Sequence, residues 1–210
     1  MSDFRFTRPD EFPPIVKNLI IINVLVFLAQ LLLDQRYFLT ARIGLWPVET
    51  PLFRPYQIVT HMFSHSPRSI GHIFFNMFAL WMFGKILENV WGGKRFLLFY
   101  LACGIGAAAL HLLVAHLTGG IVPVVGASGA VMGVIVGFAY LFPNTEMFIL
   151  FIPFPIKAKW VAIAYVAIDL FSGIANVAGD NVAHFAHLGG ALAGFILVLT
   201  WNKTDRRRFY

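Results

Sequence analysis

Ser128 lies in an apolar, glycine-spaced run, V-V-G-A-S-G-A-V, at residues 124–131. A serine hydroxyl becomes an effective nucleophile when a nearby neutral imidazole can accept its proton. His187 is the candidate imidazole, because it lies in a second apolar run with spaced glycines, A-H-L-G-G-A-L-A-G, at residues 186–194. This pair of residue types predicts acyl transfer to a serine, with a histidine as the general base.

Acyl transfer also requires hydrogen-bond donors for the negative oxygen of the tetrahedral intermediate. His72 and Asn76 are four residues apart in H-I-F-F-N, a spacing that places them on one face of a helix. The backbone N–H of Ser128 is a third candidate, because a helix that begins near Ala127 leaves its first N–H groups unpaired. We therefore predict an oxyanion site formed by His72, Asn76 and the backbone of Ser128.

The composition places these residues in a membrane. Hydrophobic residues make up 59% of the 210 positions and charged residues 12%, and the mean hydropathy of +0.75 is too high for a soluble domain. A bilayer core about 30 Å thick needs roughly 20 apolar residues per helix. Six segments are predicted as membrane helices, at residues 18–34, 71–91, 95–117, 126–142, 158–176 and 182–201. The predicted fold is an all-α, polytopic bundle of six transmembrane helices.

The chain divides into a cytoplasmic N-terminal segment (1–17), the membrane domain (18–201) and a basic cytoplasmic tail (202–210). Lys and Arg are concentrated in the loops on the side of the two termini, which makes that side cytoplasmic. We expect an integral protein of the bacterial inner (plasma) membrane. The formal net charge of +6 suits anionic lipid headgroups. The predicted partner is therefore the lipid bilayer and not nucleic acid.

Two connections are expected to lie in the membrane interface. The first loop, at residues 34–70, is long and rich in aromatic side chains. The segment at residues 147–156 is apolar, but it is too short to span a bilayer and contains two prolines.

Glycine spacing suggests how Ser128 and His187 could meet. Glycines recur every four residues at 129, 133 and 137 in the fourth segment and at 190 and 194 in the sixth. Because such faces let two helix backbones approach closely, we predict that these segments pack together. A helix over 127–142 covers only roughly 24 Å. Ser128 should therefore lie below the outer surface, in a pocket open to water.

Three motifs together resemble those of the rhomboid intramembrane serine proteases: H-x-x-x-N (72–76), G-A-S-G (126–129) and A-H-L-G-G-x-x-x-G (186–194). T-H-M-F-S-H (60–65) and G-x-x-x-E (84–88) match the same family. The resemblance extends from the first predicted helix to the sixth. It implies a bundle of rhomboid type that cleaves peptide bonds in or near the transmembrane helices of membrane-protein substrates.

The resemblance further implies a Ser128–His187 dyad that works through an acyl-enzyme, without an acidic third member, a metal or another cofactor. It also implies that the fifth helix is a lateral gate for the transmembrane segments of substrates. The first loop would be a wedge in the outer leaflet. Two positions depart from the family pattern: Met132 stands where bacterial members carry a tyrosine stacked on the histidine, and Tyr56-Gln57 replaces a Trp-Arg pair. A thioether can also pack on an imidazole ring.

Two further polar residues belong to the same half of the predicted bundle as His187. Asp169 is the carboxylate deep in the fifth segment. Its depth matches that of His187 and so does not exclude a third member of a catalytic triad. Because the family dyad works without an acidic residue, we assign Asp169 to gating or packing. His184 is one turn before His187, and we expect it to be hydrated at the mouth of the cavity.

Three polar residues elsewhere are given structural interpretations. We expect Glu88 to cap the turn at residues 92–93. His61 and His65 are assigned to hydrogen bonds that hold the first loop against helix ends.

Functions of other classes compete with the protease. A catalytically silent rhomboid-like protein would bind membrane clients without cleaving them, but it would lack the nucleophile or the base, and Ser128 and His187 are both present. A small transporter would be expected to show duplicated halves and more buried carboxylates. An intramembrane zinc protease would need H-E-x-x-H, and H-M-F-S-H (61–65) lacks the glutamate.

Overall fold

The computed structural model describes residues 9–148, 153–175 and 183–204. Its helices are α1 (Pro14–Tyr37), α2 (Leu39–Ile43), α3 (Gln57–Thr60), α4 (Ile70–Ala79), α5 (Lys85–Trp91), α6 (Gly93–Thr118), α7 (Ser128–Leu141), α8 (Ala158–Ala175) and α9 (His184–Thr204). A 3₁₀ turn (His61–Phe63) follows α3, and a π-helical turn (Leu80–Gly84) joins α4 and α5 into one continuous helix.

Five helices in the described ranges are long and apolar enough to cross a membrane: Pro14–Tyr37, Ile70–Trp91, Gly93–Thr118, Ala158–Ala175 and His184–Asn202. The remaining predicted span is the shorter apolar helix α7. The predicted helical membrane bundle is confirmed, and the protein is an integral membrane protein.

The ends of the chain differ from the predicted boundaries. Helix α1 begins at Pro14 and not at residue 18. Proline is favoured in the first turn of a helix, because a backbone N–H at that position would have no partner within the helix. The N-terminal segment predicted at 1–17 therefore includes the first turn of α1, and residues 1–8 lie outside the described residues. The tail predicted at 202–210 begins within α9, and residues 205–210 lie outside the described residues as well.

The connection predicted at residues 147–156 is described at its two ends, while residues 149–152 lie outside the described chain. Glu146–Met147 (β1) and Ile156–Lys157 (β2) form a short antiparallel pair that the sequence patterns did not indicate. Prolines 153 and 155 lack backbone donors and disfavour helix. The chain therefore reverses direction here between α7 and α8.

The core of the bundle is formed by α6, α7 and α9, which make the most extensive contacts with one another. The α6 side chains Phe96, Phe99 and Tyr100 are completely buried. Helix α8 packs mainly on α9 and less on α7. Many large apolar side chains are exposed, among them Leu32 on α1 and Leu117 on α6, as expected where lipid is the surrounding medium.

The first loop is organised by the buried amide of Gln57, which is 1% exposed. Its carbonyl oxygen accepts hydrogen bonds from the backbone N–H groups of Trp46 (3.3 Å) and Arg54 (3.1 Å). Its nitrogen donates to the carbonyl oxygens of Arg42 and Leu52, each at 3.1 Å. One glutamine thus satisfies backbone groups from several parts of an irregular segment, which must otherwise find other partners away from water.

His61 and His65 are buried in the same loop and bind structural partners. The Nδ1 atom of His61 is 2.9 Å from the carbonyl oxygen of Gln57, and the Nε2 atom of His65 is 2.9 Å from Oδ1 of Asn23. Both partners are acceptors, so each of these ring nitrogens carries the proton. Burial lowers the pKa of His61 to about 4 and that of His65 to about 3. Both rings are therefore neutral near pH 7.

Glu88 caps the start of α1 and not the turn at residues 92–93. Its carboxylate, which is 3% exposed, accepts hydrogen bonds from the backbone N–H groups of Ile15 (2.9 Å) and Val16 (2.7 Å). These groups have no partner within their own helix and carry partial positive charge. A carboxylate from α5 therefore fixes the N-terminus of α1 against the bundle.

Replacing Glu88 by alanine should lower the free energy of unfolding by about 1–3 kcal/mol, because buried N–H groups lose their acceptors. Thermal unfolding in detergent measures this change as a lower midpoint. Glu11→Ala is the matched control, because exposed Glu11 pairs with Lys85 at the surface (2.9 Å), where an ion pair contributes less than about 1 kcal/mol. Equal midpoints for the two variants would contradict the capping role.

Candidate active site

Ser128 and His187 lie in hydrogen-bonding contact. The Nε2 atom of His187 is 2.8 Å from the Oγ atom of Ser128. Ser128 is the first residue of α7, and His187 lies in the first turn of α9. Both residues are partly exposed, so solvent can reach a contact that protein otherwise encloses.

A glycine contact between α7 and α9 sets this distance. A Cβ atom on Gly190 would overlap the carbonyl oxygen of Gly129, and one on Gly194 would lie 2.8 Å from the Cα atom of Gly133. The two glycine faces therefore meet backbone to backbone, as their spacing predicted. Gly137, expected on the same face of α7, packs instead against α6, because crossing helices remain in contact over only a few turns.

The loop before Ser128 is held by backbone hydrogen bonds to the first loop. Val124 and Leu45 exchange two N–H···O bonds of 2.9 Å, and the N–H of Gly126 donates to the carbonyl oxygen of His61 at 3.0 Å. Gly126 has a φ of 127°, which glycine adopts far more readily than other residues. The residue that caps α7 makes no side-chain hydrogen bond. The first N–H groups of the helix therefore remain available to a ligand.

His72 lies beside the serine and presents a donor toward it. A Cβ atom on Gly126 would be 2.9 Å from Nε2 of His72 and 3.4 Å from Oγ of Ser128, so the two side chains flank the same glycine. The Nδ1 atom of His72 accepts a hydrogen bond from the N–H of Ser66 at 3.3 Å. Because Nδ1 accepts, the proton is assigned to Nε2, which faces the site.

Asn76 is buried on α4, one helical turn beyond His72. Its Nδ2 atom donates to the carbonyl oxygen of His72 at 2.7 Å. A side-chain amide carries two protons on nitrogen, so one N–H remains for a ligand. Of the two predicted side-chain donors, His72 is placed directly beside Ser128, whereas the described hydrogen bond of Asn76 stays within its own helix.

Asp169 and His184 form a hydrogen-bonded group with His187. The Nδ1 atom of His187 is 3.1 Å from each carboxylate oxygen of Asp169. The Nδ1 atom of His184 is 2.6 Å from Oδ1 of the same carboxylate. To the gating or packing role assigned to Asp169 from the sequence, the structure adds a hydrogen bond to His187. The available signal was a carboxylate within a span, together with two histidines three residues apart on one helix face.

These three side chains are also close enough to hold a metal ion. Their ligand atoms lie within 4.8 Å of one another, the one such group of histidine, cysteine or carboxylate found in the described ranges. Two imidazoles and a carboxylate are ligands that suit zinc. The same atoms satisfy one another through hydrogen bonds. Treatment with a metal chelator distinguishes a metal site from a hydrogen-bonded group.

Most of the chain, from the first loop to the end of α9, matches a known family. The model of the family described as the Rhomboid domain matches residues 53–203. The chain belongs to the rhomboid family. The resemblance inferred from the serine, histidine and glycine motifs is thereby confirmed.

Three relatives come from different organisms. The chain is 31% identical over 177 residues to Rhomboid protein 1, mitochondrial, of Saccharomyces cerevisiae, covering 81% of this chain and 45% of that protein. It is 31% identical over 196 residues to the Homo sapiens Presenilin-associated rhomboid-like protein, mitochondrial, covering 90% and 50%. It is 34% identical over 152 residues to Rhomboid protease GluP of Bacillus subtilis, covering 71% and 25%. The chain thus spans half or less of the length of these rhomboid relatives, one of which is named as a protease.

Gly126→Ala should reduce substrate cleavage about 10- to 100-fold, because the added Cβ would lie 2.9 Å from Nε2 of His72 and displace it from the site. Gly119→Ala is the matched control. Its φ of 68° is also positive, but a Cβ there would meet nothing within 4 Å. Kinetics with a transmembrane substrate should show the loss for Gly126→Ala alone, and equal rates would contradict the crowding argument.

Proposed function

We propose that this rhomboid-family protein is an intramembrane serine endopeptidase that cleaves peptide bonds in or near the transmembrane helices of membrane-protein substrates. The observation that carries the proposal is the 2.8 Å contact between Nε2 of His187 and Oγ of Ser128. The position of Ser128 at the start of α7 supports it further, because a helix N-terminus favours developing negative charge.

In the proposed reaction, His187 takes the hydroxyl proton through Nε2 while Oγ of Ser128 attacks the carbonyl carbon of the scissile bond. The resulting oxyanion accepts hydrogen bonds from backbone N–H groups at the start of α7 and from Nε2–H of His72, and the free N–H of Asn76 is available to it. His187 then donates its proton to the leaving amine, and an acyl-enzyme forms on Ser128. Water, activated by His187, hydrolyses this ester and restores the hydroxyl.

Charged residues support the proposed orientation in the membrane. Lys85 contacts Glu11 near the start of α1, and Lys159 contacts Asn144 beyond the C-terminal end of α7 (3.3 Å). Both lysines therefore lie toward the end of the bundle opposite Ser128, which the positive-inside rule makes cytoplasmic. We propose that Ser128 faces the outer side and that both termini are cytoplasmic, as in a bacterial inner membrane. The relatives include both mitochondrial and bacterial proteins.

A catalytically silent client-binding protein and a small transporter are the alternative functions. Neither requires a serine hydroxyl within hydrogen-bonding distance of an imidazole nitrogen. The contact between Ser128 and His187 therefore favours the peptidase.

The test uses purified protein in liposomes with a fluorescent transmembrane substrate. Ser128→Ala and His187→Ala should each reduce kcat by at least about 10⁴-fold, because either change removes the nucleophile–base pair. Ser172→Ala is the matched control, because it removes the hydroxyl of another serine in a membrane helix, α8. This variant should cleave at the wild-type rate. Cleavage by the wild-type protein should also persist after treatment with a metal chelator.

Unchanged cleavage in both Ser128→Ala and His187→Ala would overturn the proposed mechanism. Loss of wild-type cleavage on chelation, with recovery on adding zinc, would instead assign the group formed by Asp169, His184 and His187 to metal binding.

A further inference from the structure

The carboxylate of Asp169 is buried in an apolar helix and shared between two imidazoles. It is 6% exposed, and a carboxylate in such a place is costly unless hydrogen bonds satisfy it. His187 and His184, on neighbouring turns of α9, both direct Nδ1 at it, at 3.1 Å and 2.6 Å. An ionised carboxylate can only accept, so both Nδ1 atoms carry protons.

This arrangement determines which form of His187 faces the nucleophile. With the proton on Nδ1, the lone pair of the neutral ring is on Nε2, which is 2.8 Å from Oγ of Ser128. A general base requires this tautomer. The carboxylate also holds the plane of the ring and stabilises the imidazolium that forms when the proton is taken.

We propose that Asp169 is a positioning residue for His187, and that the carboxylate reaches His187 only while α8 is packed against α9. The inference rests on the proposed peptidase function and adds to the Ser128–His187 pair a third member carried by a different helix.

The packing of α8 explains why the contact between Asp169 and His187 depends on the position of this helix. Within α8 the buried residues are Ala158, Val161 and Ala162 in its first turns, and then Asp169. An open groove of about 820 Å³, lined almost entirely by apolar side chains, runs beside residues 159–170 of α8, between this helix and parts of α7 and α9. The later turns of α8 are therefore held to α9 mainly by the bonds of Asp169 and by the close approach of Gly173 to His184 and Phe185. Asp169, the last buried residue along α8, is thus the one that contacts His187.

Displacing the later turns of α8 would carry the carboxylate away from His187. The family resemblance implies that this helix moves aside when a substrate segment enters. The base would then be oriented fully only after α8 has returned, which would couple closure of the gate to activation of Ser128.

The first test compares Asp169→Asn with wild type, using both the transmembrane substrate and a small fluorophosphonate, which phosphonylates the active serine with loss of fluoride and needs no lateral access. Asparagine keeps the size of the side chain but can donate to Nδ1 and so favour the other tautomer. We expect kcat and the fluorophosphonate inactivation rate to fall together by at least about 10-fold, because the wrong tautomer cannot accept the Ser128 proton, with KM within about threefold. Ile168→Ala, at an exposed neighbour on α8, should leave both rates unchanged.

Rates are normalised to monodisperse protein after gel filtration, so partial unfolding does not imitate the effect. A second variant, His184→Ala, removes the other partner of the carboxylate and leaves the bond to His187. It should retain at least about one third of the wild-type inactivation rate. Wild-type rates in Asp169→Asn, or an equal loss in His184→Ala, would overturn the positioning role. If Ser128→Ala also left cleavage intact, the peptidase proposal itself would fail.

The second test separates helix closure from the carboxylate by a double-mutant cycle. A Cβ on Gly173 would lie 3.2 Å from His184 Cβ and from the Phe185 ring, so Gly173→Leu should push the end of α8 away from α9. We expect about a tenfold lower fluorophosphonate rate in the wild-type background and less than about a twofold change beside Asp169→Asn. Equal effects in both backgrounds, or no effect in either, would overturn the coupling to α8.

Discussion

The contact of glycine backbones between α7 and α9 is the constraint on which the site depends. Lipid chains are as apolar as the helix surfaces, so helices in a bilayer associate through close packing and polar contacts and not through the hydrophobic effect. Gly190 rests on the carbonyl oxygen of Gly129, and Gly194 on Gly133. Each contact leaves no room for a Cβ atom. The first residue of one helix and the first turn of the other are thereby fixed with Ser128 and His187 at 2.8 Å, and a displacement of about 1 Å would be enough to impair acyl transfer.

Buried polar side chains also supply hydrogen-bond partners for the backbone groups of irregular segments and of helix starts. Gln57 bonds to four backbone groups of the first loop, and Glu88 accepts from the first N–H groups of α1. Gln30 accepts from the backbone N–H of His65 (2.9 Å) and donates to the carbonyl oxygen of the same residue (2.8 Å). Irregular backbone inside a membrane protein persists only with such partners. The loop before α7, which carries Gly126 at positive φ, is therefore held against a first loop whose backbone is bonded to buried side chains.

The sequence patterns predicted the features that depend on composition and on spacing along one helix. Hydropathy located the six spans, and four-residue glycine spacing indicated the faces of α7 and α9 that meet. The contacts of Asp169 could not be derived in this way. Its depth was evident from its position in the span, but depth does not determine which neighbour a side chain faces when helix α8 is rotated about its axis. The sequence could not predict that Glu88 caps α1 for a related reason. The start of α1 is brought beside α5 only by tertiary packing.

The residue one turn after Ser128 suggests why a carboxylate is useful at this site. The family resemblance places an aromatic ring at this position in bacterial members, where stacking would hold the imidazole. Here Met132 is buried in its place, and a thioether on three rotatable bonds adapts its shape more readily than a ring does. Stacking alone would then orient His187 less firmly. Two oxygens at 3.1 Å from Nδ1 supply the missing orientation by hydrogen bonding, and they make it depend on the position of α8, which a ring carried by α7 would not.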